Sequence, residues 1–206
     1  MGVYDHDLGH PRAYYKGYKS KDGGVRAIGE DKEDYFFYRA ILGIDRAITW
    51  LAAREDVDSR HLVYLGNSQG GGMGLVLTGL NKNITAACVN IPALCDHLGF
   101  RAGRSPGWPG VLSWRARRKM SEEEIATATE KLRYFDAVNF ARKIDVPVLL
   151  SMGFVDTTCP PSSVYAAYNV ITSPKQIITN PHSGHAVTSK ARTAFEPWVR
   201  QHLGLD

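Results

Sequence analysis

A chain of 206 residues, 44% hydrophobic and 22% charged, holds enough material for one buried core and too little for two ordinary domains. Its 25 Lys and Arg against 21 Asp and Glu leave a formal charge of +4 spread along the chain, which argues against nucleic acid as a partner. No stretch reaches the ~18 consecutive apolar residues that a membrane span needs, so no membrane partner is expected.

The three cysteines, Cys88, Cys95 and Cys159, have no Cys-x-x-Cys spacing and support neither a disulfide framework nor a zinc site. Cys88 lies in an apolar run and reads as a small buried hydrophobe, while a Cys95–Cys159 pairing stays open. The opening residues lack the apolar core of a signal peptide, so a cytoplasmic location is expected if Met1 is the true start. Arg101, Arg104, Arg115, Arg117, Arg118 and Lys119 form a locally basic stretch, read as a solvated or subunit-contact face rather than an anion site.

Residues 1–30 read as loop. From Asp31 a helix is expected, because Phe37, Ile41, Ile44, Ile48 and Leu51 recur at steps of four and three. A short apolar run at 61–66 reads as a buried strand, 70–80 as a helix despite its glycines, and 84–90 as a second strand. Residues 91–142 change character and read as an insertion. Its first part is irregular, Ser121-Glu122-Glu123-Glu124 has the form of a capping box, and 134–142 continue as helix. Residues 147–152 are the clearest strand. Pro160-Pro161 then starts a helix, 175–179 form a short strand, and 188–203 a last helix bent or interrupted at Pro197. This alternation predicts a single α/β domain over 1–206 with about four parallel strands.

One motif carries chemistry. Gly66-Asn67-Ser68-Gln69-Gly70 stands between a predicted strand and a predicted helix, the setting of a G-x-S-x-G nucleophile elbow. Gly66 and Gly70 supply the small flanks of the sharp turn, and Gly71 and Gly72 let the helix approach the sheet. Ser68 would be lifted above the C-terminal sheet edge, with the Gln69 backbone N–H aimed at a developing oxyanion. A serine hydroxyl needs a base and the base an orienting acid, in the chain order Ser, Asp, His. Asp156 follows the strand at 147–152, whereas Asp145 precedes it and Asp136 lies in the insertion. After the last strand come His182 and His185. His185 is favoured because it follows Gly184 and directly precedes the final helix. Phe100, Trp108 and Trp114 are candidates to line an acyl or sugar site, with core packing and an oligomer contact as alternatives.

Several of these motifs resemble the acetyl xylan esterase/cephalosporin C deacetylase family, carbohydrate esterase family seven, of the α/β-hydrolase superfamily. They are the segment 66–72, Asp156-Thr157-Thr158-Cys159-Pro160-Pro161 with 164–168, Asn180-Pro181-His182-Ser183-Gly184-His185, and 134–141. The resemblance implies deacetylation of small acetylated sugars by Ser68, Asp156 and His185, without metal or other cofactor, in a ring-like homo-oligomer. Two departures stand out. Ala186 follows His185 where the family usually has Glu. The family's Arg-Gly-Gln motif is also absent, with the upstream loop that supplies a second oxyanion contact. On this reading the chain holds the C-terminal half of the fold's strands and is a fragment of a longer protein, its first strand left as an exposed edge. Another hydrolase of the same fold, of the dienelactone hydrolase or oligopeptidase kind, stays open as an alternative. So does a catalytically silent domain used for binding or assembly.

Overall fold

The computed structural model describes Ile28 and residues 31–205. Four strands, β1 (Val63–Asn67), β2 (Ala86–Asn90), β3 (Val148–Gly153) and β4 (Lys175–Asn180), form a parallel sheet in the order β1-β2-β3-β4. The parallel α/β sheet expected from the alternating pattern is present, in the arrangement that the α/β-hydrolase resemblance implies, and all four strands lie close to where periodicity put them.

The helices are α1 (Phe36–Ala52), α2 (Gln69–Leu80), α3 (Trp114–Arg117), α4 (Glu122–Leu132), α5 (Ala137–Ala141), α6 (Pro161–Val170) and α7 (Ser189–His202). They cover both faces of the sheet, and the pleat sorts the strand residues between them. Ala87, Val89, Val148 and Leu150 join the large core beneath α2 and α6. Cys88 and Leu149 turn the other way, onto Ala191 and Phe195 of α7. Every residue of β2 and β3 is buried in consequence, which is why neither strand alternates in hydrophobicity.

β1 is different. Leu65 stands opposite Cys88 in the register, on the face that α7 covers, yet it is 60% exposed. Helix α7 reaches β2, β3 and β4 but does not shield β1. The apolar stripe of α1 fares similarly: Phe37 and Ile41 are buried, Ile44 and Ile48 half-buried, and Leu51 exposed. The expected stripe is real: Ile44 and Ile48 still pack against the main core, and of its five members Leu51 alone is exposed.

Other expectations shift in detail. The helix expected from Asp31 begins with a 3-10 turn at Lys32–Asp34 before α1 proper. The irregular part of 91–120 contains a further 3-10 turn, Gly99–Ala102, and the single turn of α3. Only Ala137–Ala141 is helical within 134–142. The capping box forms as read, with Ser121 Oγ accepting the Glu124 N–H at 3.1 Å and Glu124 Oε2 accepting that of Ser121 at 2.6 Å. Helix α7 runs through Pro197 without interruption. Pro197 and Thr193, whose carbonyl loses its donor, lie on the exposed side, where water can take that bond. The expected loop over 1–30 falls outside the described residues, apart from Ile28.

The long excursion between β2 and β3 is closed by one carboxylate. Asp136 accepts the N–H groups of Asp96 (2.9 Å) and His97 (2.7 Å) where the excursion leaves β2, and that of Val138 (3.0 Å) where α5 begins. Beside it, the Ala137 N–H donates to the Leu94 carbonyl at 2.8 Å.

All three cysteines are buried free thiols, including Cys95 and Cys159. Burial pushes the Cys88 and Cys159 thiols up to about 12, with Asp156 adding to the effect at Cys159, and holds the Cys95 thiol well above the usual range. Iodoacetamide is expected to leave the native protein unmodified at neutral pH and to alkylate all three after denaturation without reductant. Loss of two of the three sites in the denatured sample would show a Cys95–Cys159 bond instead.

Candidate active site

Ser68 occupies the turn between β1 and α2 at φ 51° and ψ −116°, a conformation L side chains rarely adopt. Three backbone bonds hold it there. Its N–H donates to the Asn90 carbonyl at 2.8 Å, and its own carbonyl accepts the N–H groups of Gly72 and Ala93, each at 2.9 Å. The turn is tight because a Cβ at Gly66 would stand 2.4 Å from the Gly70 carbonyl oxygen. Tyr64 donates its hydroxyl to that same carbonyl at 2.9 Å.

The expectation for the second flank needs correction. A Cβ at Gly70 would meet nothing within 4 Å, so what crowds Gly66 is the Gly70 backbone, and a methyl group at 70 would have room. Gly71 and Gly72 do serve close packing: Cβ atoms there would come within 3.0 Å of the Asn90 carbonyl and 2.2 Å of the Ala93 carbonyl. Gln69 opens α2, whose first turn brings the positive end of the helix dipole beside Ser68.

Asp156 lies three residues past β3 and is 3% exposed. Its Oδ1 accepts the N–H groups of Thr158 (2.8 Å) and Cys159 (2.9 Å), and its Oδ2 faces His185 Nδ1 at 2.8 Å. His185 Nε2 stands 2.7 Å from Ser68 Oγ. Because the carboxylate requires a proton on Nδ1, the neutral imidazole offers Nε2 to accept the serine hydroxyl. The structure thus joins Ser68, His185 and Asp156 in one unbroken relay. His182 is exposed and makes no hydrogen bond among the described residues. Asp136 is occupied with backbone N–H groups, and Asp145 pairs with Lys82 at the surface.

The acid and base loops cross directly at Gly153, where a Cβ would stand 2.1 Å from the Ser183 carbonyl oxygen and 2.6 Å from that of Gly184. The Val155 N–H donates to Ser183 O at 3.2 Å and that of Phe154 to Asn180 O at 3.0 Å. Neither Gly153 nor Asn90 stood out in the sequence. A polar residue closing the apolar run Ala86-Ala87-Cys88-Val89 was the available signal for Asn90, whose side chain also accepts from the Ser151 hydroxyl. A cleft of about 740 Å³ lies beside the relay, with 156–158 on one wall and Phe100, Trp108 and Trp114 among its other lining residues. Trp108 serves the core as well, packing edge-on against Phe37 at 6.0 Å.

Asp156, Cys159 and His185 present donor atoms within 4.8 Å of one another, the kind of set that can hold a transition metal. Within this set His185 Nδ1 and Asp156 Oδ2 already face one another at 2.8 Å as part of the proton relay.

Residues 6–202 match the family model described as Acetyl xylan esterase (AXE1). The chain belongs to the acetyl xylan esterase family. Acetyl esterase Axe7A of Xylanibacter ruminicola, a curated relative, is 33% identical over 174 residues, covering 84% of this chain and 38% of that protein. Among solved structures, the acetyl xylan esterase from Paenibacillus sp. R4 superposes with a TM-score of 0.74 at 27% identity, over 86% of this chain and 55% of its own. Acetyl xylan esterase 1 from Thermoanaerobacterium sp. JW/SL YS485 shares the fold, with a TM-score of 0.75 at 24% identity over 86% and 57%. This member of the acetyl xylan esterase family thus spans 38–57% of the length of these relatives. Among the described residues no helix is long and apolar enough to cross a membrane.

Proposed function

We propose that the chain carries the Ser-His-Asp machinery of an acetyl esterase acting on small acetylated carbohydrates. The observation that supports this most directly is the relay of 2.7 and 2.8 Å from Ser68 through His185 to the buried Asp156. His185 Nε2 takes the hydroxyl proton as Ser68 Oγ attacks the acetyl carbonyl, and Asp156 stabilises the imidazolium that forms. The Gln69 N–H, at the start of α2, holds the tetrahedral oxyanion. His185 then returns the proton to the departing sugar oxygen, leaving an acetyl-serine. Water, activated by the same imidazole, releases acetate and restores the hydroxyl.

The family resemblance assigns a second oxyanion donor to polypeptide upstream of the elbow strand, and the greater length of the relatives accords with that. A site working with one donor is slower by roughly 10²–10³. Polypeptide upstream of β1 is also the cover we assign to Leu65 and to the edge of β1 that no described strand pairs, within a homo-oligomer.

A fluorophosphonate probe tests the reading without demanding fast turnover. Ser68 is expected to be labelled, as located by mass spectrometry, with labelling lost in Ser68→Ala and His185→Ala and kept in His182→Ala. An unlabelled wild-type chain, or labelling that survives His185→Ala, overturns it.

A further inference from the structure

The basic stretch borders two clefts. Arg117 is fixed from two sides: its Nε donates to the Leu112 carbonyl at 3.1 Å, and its guanidinium lies 4.3 Å from the Phe100 ring centroid. It lines the cleft that 156–158 wall on the other side, and no carboxylate pairs with it among the described residues. Arg104 lines the same cleft but is neutralised by a two-pronged pair with Asp96, at 2.7 and 3.0 Å. A second cleft of about 650 Å³ joins the first through Gly110, Ser113 and Trp114. It is walled by Arg115, Arg118 and Lys119, and no acidic residue lines it, although Lys119 also borders a groove carrying Glu123 and Glu124. Trp114, which belongs to both clefts, is 62% exposed, with the Arg118 guanidinium 4.8 Å from its ring centroid.

A merely solvated face does not account for these features. Holding a long arginine on an aromatic ring costs rotamer freedom, and exposing an indole forgoes its burial. A symmetric contact between copies of the chain does not account for them either, since a two-fold axis through this patch would set Arg115, Arg117 and Arg118 against themselves. A planar guanidinium held in place, with its outer N–H groups unpaired by acid, matches a carboxylate. An exposed indole beside it offers an apolar face to the C–H side of a pyranose ring. We propose that the two joined clefts bind a uronate-bearing part of the acetylated oligosaccharide, with Arg117 pairing its carboxylate and Trp114 stacking on its sugar ring. The substrate class is thus an acidic acetylated oligosaccharide, an inference that rests on reading the site as a sugar acetylesterase.

Binding of xylotriose is compared with binding of the same trimer carrying one glucuronic acid, by calorimetry on the wild-type chain. The acidic trimer is expected to bind about tenfold more tightly at ~0.01 M salt, an advantage that largely disappears at ~1 M, where the Debye length falls to about 3 Å. In Arg117→Gln the affinity ratio between the two sugars is expected to fall towards one. Arg118→Gln, further from the catalytic loop, should reduce it in part and guards against misfolding of the first variant. Equal affinity of the two trimers, or a preference unchanged by salt and by both substitutions, overturns the proposal. So does a polyanion without sugar rings, such as polyglutamate, binding as well as the acidic trimer. These readouts need no turnover: a chain labelled at Ser68 that binds both trimers equally fails this inference alone, whereas an unlabelled chain fails the esterase reading.

Discussion

Replacing Asp156 by Asn is expected to lower kcat on a simple acetyl ester by about 10⁴-fold while leaving the fold intact, a loss of the size that tautomer inversion causes in serine proteases. The geometry dictates how. Oδ1 accepts two backbone N–H groups, from Thr158 and Cys159, and Oδ2 accepts the Nδ1 proton of His185. An amide has one oxygen to serve both sides. Turned towards His185, it would set its NH₂ against the half-buried Thr158 N–H and the buried Cys159 N–H, at a cost of about 1–3 kcal/mol for each polar group left buried and unpaired. The oxygen therefore stays with the backbone, and the NH₂ faces His185 Nδ1. The imidazole must then accept at Nδ1 and carry its proton on Nε2, where it donates to Ser68 and can no longer take the hydroxyl proton. Steady-state kinetics with 4-nitrophenyl acetate, alongside a melting curve, checks this. A fall of less than tenfold would show that Asp156 does not fix the tautomer.

Gly153→Ala is the second large effect, and it joins stability to activity. The new methyl group would have to sit 2.1 Å from the Ser183 carbonyl oxygen, well inside any tolerable contact. Both sides of the contact are backbone, so a side-chain rotation cannot relieve it. Forced overpacking costs typically 1–3 kcal/mol, and in a chain of this size each kcal/mol lowers Tm by about 2–4 °C. The loop that must give way is the one that carries His185. A displacement of about 1 Å at the base is enough to cost ~10²-fold in rate. Thermal melting and the rate of fluorophosphonate labelling are expected to fall together. A variant that melts and reacts like the wild type would show that the 183–184 loop yields freely.

Much of this architecture was legible in the sequence, for physical reasons that differ from element to element. The strands β2 and β3 are buried on both faces, so they appear as short apolar runs, and Ser121 with Glu124 marks a helix start by chemistry alone. Chain order and strand ends pointed to Asp156 rather than Asp136 and Asp145, whereas His185 was preferred to His182 for the glycine before it and the helix after it. What stayed hidden depends on approach across the sequence. Gly153 looks like any glycine until the 183–184 loop is laid against it, and the backbone donors at Thr158 and Cys159 leave no trace in residue type. Gly70 erred in the opposite direction, a motif position whose missing side chain is not what the turn requires. The basic stretch was visible as composition, but only the immobilised Arg117 beside the catalytic loop distinguishes it from ordinary surface charge.

The clasp at Asp136 bears on how such a protein can diversify. Three N–H groups on one carboxylate bring the two ends of the β2–β3 excursion together before any of its interior is specified. The entropy of closing such a segment grows only slowly with its length, by about 0.6 kcal/mol for each doubling. Within it, Val111, Leu112, Ala128 and Leu132 join the main core, and the Trp108 N–H donates to the Thr158 carbonyl of the acid loop at 3.0 Å, so these positions are tied to the site. Its largely exposed stretches, such as 101–105 and 114–119, are where length and sequence can change at little cost, so new substrate preferences can arise there without rebuilding the chemistry.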